Sequence, residues 1–206
     1  MRSCAGQRVR SCPGGGPNTA VTVLISRRSL LSLADEKSPR TILLVCTGNL
    51  CRSPMAAALL RRYLDEDDAR RDWRVLSAGL WAEDGEPAST GAVMAMAERG
   101  IDLTGHRSRR LTRQMVEEAD LILGMTPGHV EAMQQAFPEA RERIHLLAAM
   151  AGESHGVADP YGLSPVTYRA TANEIERLIR AGYPRIIALA EGPKRGHHPI
   201  PPSGYH

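Results

Sequence analysis

Residues 46–54 constrain the fold of this chain more than any other segment, and they read CTGNLCRSP. An apolar run precedes the segment and predicts a short buried strand. Residues 54–64 predict a helix, because they are rich in Ala and Leu. Ser53 suits the N-cap of that helix, and Pro54 suits its first position. The chain must therefore turn sharply between strand and helix, and Gly48 permits backbone conformations that other residues resist.

Backbone N–H groups that converge in such a turn form a site for an anion, and the N-terminus of the following helix adds partial positive charge. Arg52 can donate to two oxygens of a phosphate dianion through its planar guanidinium. The same positive field stabilises a thiolate at Cys46. We therefore predict phosphate-ester chemistry in which Cys46 attacks phosphorus to form a cysteinyl-phosphate. A buried structural cysteine is the alternative, and the spacing to Arg52 argues against it.

The whole chain alternates apolar segments with helical ones, a pattern typical of an α/β fold with a parallel sheet covered on both faces. Ser164 is the predicted N-cap of the last helix. A chain of 206 residues that is 42% hydrophobic predicts a single three-layer domain over residues 39–191, with disordered extensions at 1–38 and 192–206. Strands are predicted over residues 41–46, 74–78, 121–125 and 143–147, and helices over residues 54–64, 89–99, 112–119, 127–136 and 165–180.

The predicted topology also brings a candidate general acid toward Cys46. Ligands of open parallel sheets bind at the carboxyl ends of the strands, where Cys46 lies. The loop of residues 148–164 leaves the fourth strand at the same edge and carries Asp159, whereas Asp120 lies at the opposite edge. We expect Asp159 to protonate the leaving oxygen and then to activate water. An ordinary Asp-Pro turn is the alternative interpretation of this residue.

The segment C-x5-R-S resembles the phosphate-binding loop of the low-molecular-weight protein phosphatases, which include tyrosine phosphatases and bacterial protein-arginine phosphatases. The resemblance extends over residues 41–181 and includes SAG at 77–79, GHRS at 105–108, LILGMT at 121–126 and DPYG at 159–162. It implies a four-stranded parallel sheet in the order 2-1-3-4, a flavodoxin-like fold of the phosphotyrosine phosphatase I type. It also implies a phosphorylated protein as the substrate.

The same resemblance implies roles for further residues. Ser53 would stabilise the leaving thiolate, and Asn49 paired with His106 would fix the strained shape of the loop. Cys51 could form a reversible disulfide with Cys46, or it could simply fill the loop. The predicted substrate-binding residues are Thr47, Gly48, Asn49, Leu50, Cys51, Ser53, Trp81 and Tyr161, with His106 as structural support.

Two substrates are compatible with these residues. Aromatic walls at Tyr161 and Trp81 suit a phosphotyrosine ring by stacking or an arginine side chain by cation–π contact. The resemblance implies a threonine at the position of Leu50 in arginine phosphatases and a branched apolar residue in tyrosine phosphatases. Residues 152–156 and 159–164 are more similar to the arginine branch. Because position 50 is a leucine, we predict a phosphotyrosine phosphatase, with a protein-arginine phosphatase as the alternative.

The distribution of charge disfavours a nucleic acid partner. The net charge is +3, but residues 1–40 carry +5 and residues 191–206 carry +1, which leaves −3 for residues 41–190. The domain is thus acidic overall, unlike a surface that binds a polyanion. No apolar run is long enough to span a membrane, so no membrane partner is expected.

Other functions of this fold are also disfavoured. An arsenate reductase needs cysteines downstream, and none follows Cys51. A non-catalytic phosphate-binding module would lack the nucleophile or the acid, and the chain has no G-x4-G-K-S/T nucleotide motif. Arg52 and backbone N–H groups supply the positive potential, so no cofactor or metal is expected. A thiolate nucleophile favours a reducing, cytoplasmic setting, and the oligomeric state stays open.

Overall fold

The structure is a computed structural model that describes residues 39–192. The extensions predicted over residues 1–38 and 192–206 lie outside the described residues, apart from Gly192. The elements in chain order are β1 (Thr41–Cys46), α1 (Arg52–Asp65), β2 (Arg74–Gly79), α2 (Thr90–Ala97), α3 (Arg113–Glu118), β3 (Leu121–Gly124), α4 (Pro127–Ala136), a 3-10 helix (Pro138–Arg143), β4 (Ile144–Leu146), α5 (Leu147–Met150) and α6 (Pro165–Ala190).

The four strands form one parallel sheet in the order β2-β1-β3-β4, which confirms the predicted fold class and strand order. β1 is central, and all six of its residues are buried. Its last residue, Cys46, is in register with Gly79 at the end of β2. The carboxyl ends of β1 and β2 therefore lie side by side.

The apolar residues of β1 serve two cores, because successive side chains of a strand point to opposite faces. Ile42 and Leu44 pack in a cluster with buried residues of α1, α2 and α6. Leu43 and Val45 pack in a second cluster with residues of α3 and α4. A strand covered on both faces explains why β1 reads as a continuous apolar run, and it gives the predicted three layers.

The start of α1 differs from the prediction. The helix begins at Arg52 with Cys51 as its N-cap residue, and no side chain caps it. Ser53 as N-cap and Pro54 as first helical residue were therefore wrong. The hydroxyl of Ser53 contacts Cys46 and Asn49 instead. Because the Ser53 side chain makes these contacts within the loop, it does not cap the helix.

The last helix is longer than predicted. Ser164 caps it as expected, since its hydroxyl accepts a hydrogen bond from the N–H of Thr167. The helix then continues past Pro184 to Ala190. A proline inside a helix removes one backbone hydrogen bond, but Ile186 is fully buried beyond it and its packing offsets that loss. Within residues 39–192 no helix, α6 included, is long and apolar enough to cross a bilayer.

Candidate active site

The sulfur of Cys46 lies at the floor of the turn between β1 and α1. The N–H of Asn49 donates to Cys46 Sγ over 3.3 Å, and Ser53 Oγ lies 3.0 Å from the same sulfur. A thiolate only accepts hydrogen bonds, so in that form the Ser53 hydroxyl, which also lies 3.2 Å from the carbonyl oxygen of Ala78, would turn its one hydrogen to the sulfur. Hydrogen bonds to the charged form favour it. The local geometry thus stabilises a sulfur anion.

Asn49 holds the turn in shape from beneath. It has a φ of 55°, a left-handed conformation that asparagine tolerates better than most residues. Its amide donates to Ser53 Oγ and Ser77 Oγ, each over 2.9 Å, and accepts from the N–H of Arg109 over 3.0 Å. The carbonyl oxygen of Asn49 lies 2.8 Å from His106 Nε2. Burial lowers the pKa of His106, so a neutral ring donates to this carbonyl through Nε2–H.

Arg52 and Asp159 form an ion pair at the mouth of the turn. Arg52 is 5% exposed, and its Nη2 donates to Asp159 Oδ2 over 2.5 Å. Nη1 donates to the carbonyl of Val157 over 3.3 Å. Arg52 Nε is buried and has no hydrogen-bond partner among residues 39–192. The Nε–H of the guanidinium is therefore left for an anionic ligand.

The loop after β4 carries Asp159 to this place. The N–H of Val157 donates to the carbonyl of Met125, at the end of β3, over 2.8 Å. Asp120 instead accepts from Arg40 and from the N–H of Thr41, at the start of β1. The two carboxylates thus lie at opposite edges of the sheet, as the topology predicts.

A pocket of about 300 Å³ opens over the sulfur. Asn49 and Ser53 are fully buried and do not line it. Trp81 does not line it either; its side chain is largely exposed, and its backbone N–H donates to the carbonyl of Thr47 over 3.0 Å. A role for Trp81 as a second wall stays a prediction. The lining residues are Cys46, Thr47, Gly48, Leu50, Cys51, Arg52, Asp159 and Tyr161.

The thiol of Cys51, the second cysteine of the turn, contacts a side chain just before α2 and another in α6. Cys51 Sγ lies 3.0 Å from Ser89 Oγ and 3.7 Å from the hydroxyl of Tyr168. Burial raises the pKa of the Cys51 thiol, so this group stays protonated at neutral pH. Cys46 and Cys51 are both free thiols here. A disulfide between them stays a prediction.

One residue of the site was missed by sequence reasoning. His129, in the first turn of α4, places Nε2 2.9 Å from the hydroxyl oxygen of Thr47. Burial lowers its pKa to about 4, with a further contribution from the charge of Arg52. The ring is therefore neutral at neutral pH. The position of α4 after β3 could have placed His129 near the pocket, but no local motif marks it.

A group of potential metal ligands lies apart from the pocket lining. Glu153, His155 and Glu174 bring their ligand atoms within 4.8 Å of one another. Arg177 donates to Glu153 over 2.7 Å and to Glu174 over 2.9 Å. In the structure the cation that these two carboxylates bind is therefore the guanidinium of Arg177.

The fold and the pocket together define a class of protein. A parallel α/β sheet presents a cysteine, an arginine and an aspartate to one pocket, as in cysteine-dependent phosphatases. Residues 41–186 match the family described as low molecular weight phosphotyrosine protein phosphatase. The chain belongs to this family, which confirms the resemblance seen in the sequence.

Individual relatives carry two kinds of name. A protein-arginine-phosphatase of Geobacillus stearothermophilus is 42% identical over 142 residues, which are 68% of this chain and 92% of the relative. A probable low molecular weight protein-tyrosine-phosphatase, EpsP of Ralstonia nicotianae, is 41% identical over 150 residues, 73% of this chain and 98% of the relative. The solved structure of a low molecular weight protein tyrosine phosphatase from T. tengcongensis is similar with a TM-score of 0.67 and 35% identity, covering 71% of this chain and 99% of that one.

Proposed function

We propose that this protein hydrolyses phosphotyrosine in phosphorylated proteins through a cysteinyl-phosphate on Cys46. The observation that carries the proposal is the convergence of Cys46, Arg52 and Asp159 on one pocket. Each supplies a different requirement of phosphoryl transfer, namely a nucleophile, charge stabilisation and a proton for the leaving group. The family match supports the reaction class.

The first step forms the phosphoenzyme. The phosphate dianion replaces the Asp159 carboxylate on Arg52 and also accepts from the unpartnered Nε–H. The thiolate of Cys46 attacks phosphorus, so an S–P bond forms while the P–O bond to the phenol breaks. Asp159, displaced from Arg52 and protonated from solvent, gives its proton to the leaving oxygen.

The second step returns the enzyme to its starting state. Asp159, now a carboxylate, takes a proton from water, and the water oxygen attacks phosphorus. The S–P bond breaks, and its electron pair returns to Cys46. The N–H of Asn49 and the hydroxyl of Ser53 already lie within hydrogen-bond distance of this sulfur, so they stabilise the departing thiolate.

The lining of the pocket supports phosphotyrosine. Leu50 and Tyr161 present apolar surface to it, and Asp159 is the one acid among the lining residues. A flat aromatic ring gains from stacking and burial against such walls. Protein-arginine phosphatase is the second candidate, because relatives of both names are almost equally identical to this chain.

The substrate is tested by comparing kcat/KM for phosphotyrosine and phosphoarginine peptides in the wild type and in Leu50→Thr. We expect the wild type to prefer phosphotyrosine and Leu50→Thr to shift the ratio by roughly tenfold toward phosphoarginine, the order that one pocket side chain controls. Leu163→Thr is the matched control, since Leu163 is exposed and does not line the pocket. A wild type that prefers phosphoarginine would overturn the choice of substrate.

We also propose a cytoplasmic setting, because the cysteine nucleophile has to stay reduced. The cysteine mechanism needs no metal or cofactor, since Arg52 and the N–H groups of the turn supply the positive potential. If Cys46→Ser kept the wild-type turnover of an aryl phosphate, the nucleophile would be another group. If Asp159→Ala stayed within a few-fold of the wild type, Asp159 would not be the acid.

A further inference from the structure

A chain of hydrogen bonds connects a buried histidine to the arginine of the pocket. Thr47 Oγ1 lies 2.9 Å from His129 Nε2 and accepts from Arg52 Nη2 over 3.1 Å. His129 is 5% exposed, and its Nδ1 has no hydrogen-bond partner among residues 39–192. The ring thus makes one polar side-chain contact in this part of the chain, and that contact is to a residue that lines the pocket.

The hydrogen count at Thr47 decides which ring nitrogen carries the proton. A hydroxyl has one hydrogen to donate and two lone pairs that accept. If the ring accepts at Nε2, the hydroxyl hydrogen of Thr47 is used up beneath the pocket, and a buried N–H at Nδ1 is left without a partner. If the ring donates from Nε2, Thr47 accepts twice and its hydrogen stays available to the pocket. Both arrangements make two hydrogen bonds at Thr47. Only the second avoids a buried N–H without a partner at Nδ1 and keeps the Thr47 hydrogen for a ligand.

We propose that His129 is a positioning residue for phosphate binding: it donates to Thr47 Oγ1, which fixes that oxygen as an acceptor for Arg52 and leaves the Thr47 hydroxyl hydrogen for a bound phosphate oxygen. This role rests on the proposed phosphatase function for its catalytic consequence. The neutrality of the buried ring is consistent with it, since a neutral imidazole has a single N–H to place.

Binding of a phosphate makes the Thr47 contact more important. Without a ligand, Arg52 Nη2 is held by both Asp159 and Thr47. A dianion on the guanidinium displaces the carboxylate of Asp159, which must be free to serve the leaving group. Thr47 then remains as the tether of Nη2, and the carbonyl of Val157 remains as the tether of Nη1. The guanidinium plane keeps its orientation through these two contacts.

The test measures the Kd of inorganic phosphate by calorimetry and kcat/KM for para-nitrophenyl phosphate in three variants of His129. His129→Gln keeps an N–H donor near the position of Nε2, whereas His129→Asn places its amide near Nδ1 and His129→Leu has no donor. We expect Leu and Asn to weaken phosphate binding about tenfold, the order for one hydrogen bond to a charged group, with Gln within about threefold of the wild type. His145→Leu is the control, since His145 also buries an unpartnered ring nitrogen but lies on β4.

The contact through Thr47 is tested by a double-mutant cycle. Thr47→Val removes the hydroxyl at nearly constant volume. If His129 acts through Thr47, adding His129→Leu to Thr47→Val changes the phosphate Kd by less than about twofold. Additive losses in the double variant, or wild-type phosphate binding in both His129→Leu and His129→Asn, would overturn the proposal.

Phosphate binding also separates this proposal from the proposed function. A wild type that binds phosphate but turns over no aryl phosphate contradicts the phosphatase reaction, while the three His129 variants still decide the positioning role. If His129→Leu does not fold, the comparison of His129→Gln with His129→Asn decides it, because both carry the same amide. Nitrogen NMR of the wild-type imidazole should show the hydrogen on Nε2, and a hydrogen on Nδ1 would contradict the donor role.

Discussion

Asn49 combines a left-handed backbone with a fully buried and fully bonded side chain. Its amide group reaches Ser53, Ser77 and the N–H of Arg109, which belong to three separate parts of the chain. Its own N–H donates to the sulfur of Cys46. The side chain therefore stabilises the conformation that the nucleophile requires.

Two substitutions separate the side-chain bonds of Asn49 from its backbone conformation. Asn49→Gly removes the bonds but adopts a positive φ freely, whereas Asn49→Ala removes the bonds and adds left-handed strain. We expect both to lower the free energy of unfolding and Ala to be worse than Gly by about 1 kcal/mol. Urea unfolding of the two variants measures the difference. If the Ala variant were at least as stable as the Gly variant, the left-handed backbone conformation at position 49 would not be strained.

His129 predicts how stability responds to acid. Its pKa falls from 6.5 to about 4 because it is buried, next to Arg52, and the charge of Asp159 opposes this only in part. As the pH falls below 6.5 the unfolded chain binds a proton first, so stability is lost progressively down to about pH 4. The pKa difference corresponds to roughly 3 kcal/mol at most. His129→Gln should remove this part of the acid sensitivity, as measured by urea unfolding at neutral pH and near pH 4. If the free energy of unfolding of His129→Gln fell with acid as in the wild type, another group would be taking up the proton.

The residues that line the pocket were easier to place from the sequence than the residues that support them. Cys46, Arg52 and Asp159 stand out because a nucleophile, an anion-binding group and an acid each require a particular residue type at one edge of the sheet. His129 carries no such signal, since it acts on the pocket through Thr47 across two elements. Ser53 was assigned to a helix cap because local propensity favours that role, and the contact with Cys46 took precedence.

At the scale of elements, the end of β2 supports the turn after β1. A Cβ atom added to Gly79 would lie 2.6 Å from the carbonyl oxygen of Thr47 and 2.8 Å from the backbone nitrogen of Asn49. Neither backbone atom can move without moving the turn. The close approach of β2 thus requires glycine at position 79.

Gly79→Ala tests this support. The added methyl group should push the turn outward, which lowers the free energy of unfolding by about 1–3 kcal/mol and lowers kcat/KM for an aryl phosphate by about 100-fold. Gly105→Ala is the matched control, because an added Cβ there meets no atom within 4 Å. Wild-type activity in Gly79→Ala would mean that the turn does not depend on β2.

Strands were predicted more closely than helix ends. β1 agrees with its prediction to the residue, since a strand buried on both faces leaves a continuous apolar run. The end of α6 was placed ten residues too early, at 180 and not at Ala190, and the helix contains Pro184, a residue that disfavours a helix interior. Burial of Ile186 and Ile187 overrides that local signal. The short helix α5 was missed because four residues show no period; its first residue had been placed in the fourth strand and the rest in the loop that follows.

At the scale of the whole molecule, the parallel sheet gathers distant segments at one edge. Cys46 and Asp159 are far apart in the sequence, yet both line the pocket at the carboxyl ends of the strands. The α/β class and this convergence followed from the alternation of elements alone. The strand order did not, because several parallel orders satisfy the same alternation, and only the family resemblance selected 2-1-3-4. The hydrogen bonds beneath the turn depend on side-chain placement that no sequence pattern specifies.

The most direct measurement is chemical trapping of the phosphoenzyme. An aryl phosphate is mixed with the protein, the reaction is quenched in acid within one turnover, and peptides are analysed by mass spectrometry. One phosphoryl group should appear on the peptide that contains Cys46, and it should be absent from that peptide in Cys46→Ser, which should also lack turnover. Steady turnover in the wild type with no phosphoryl group on Cys46 at any quench time would contradict the cysteinyl-phosphate mechanism.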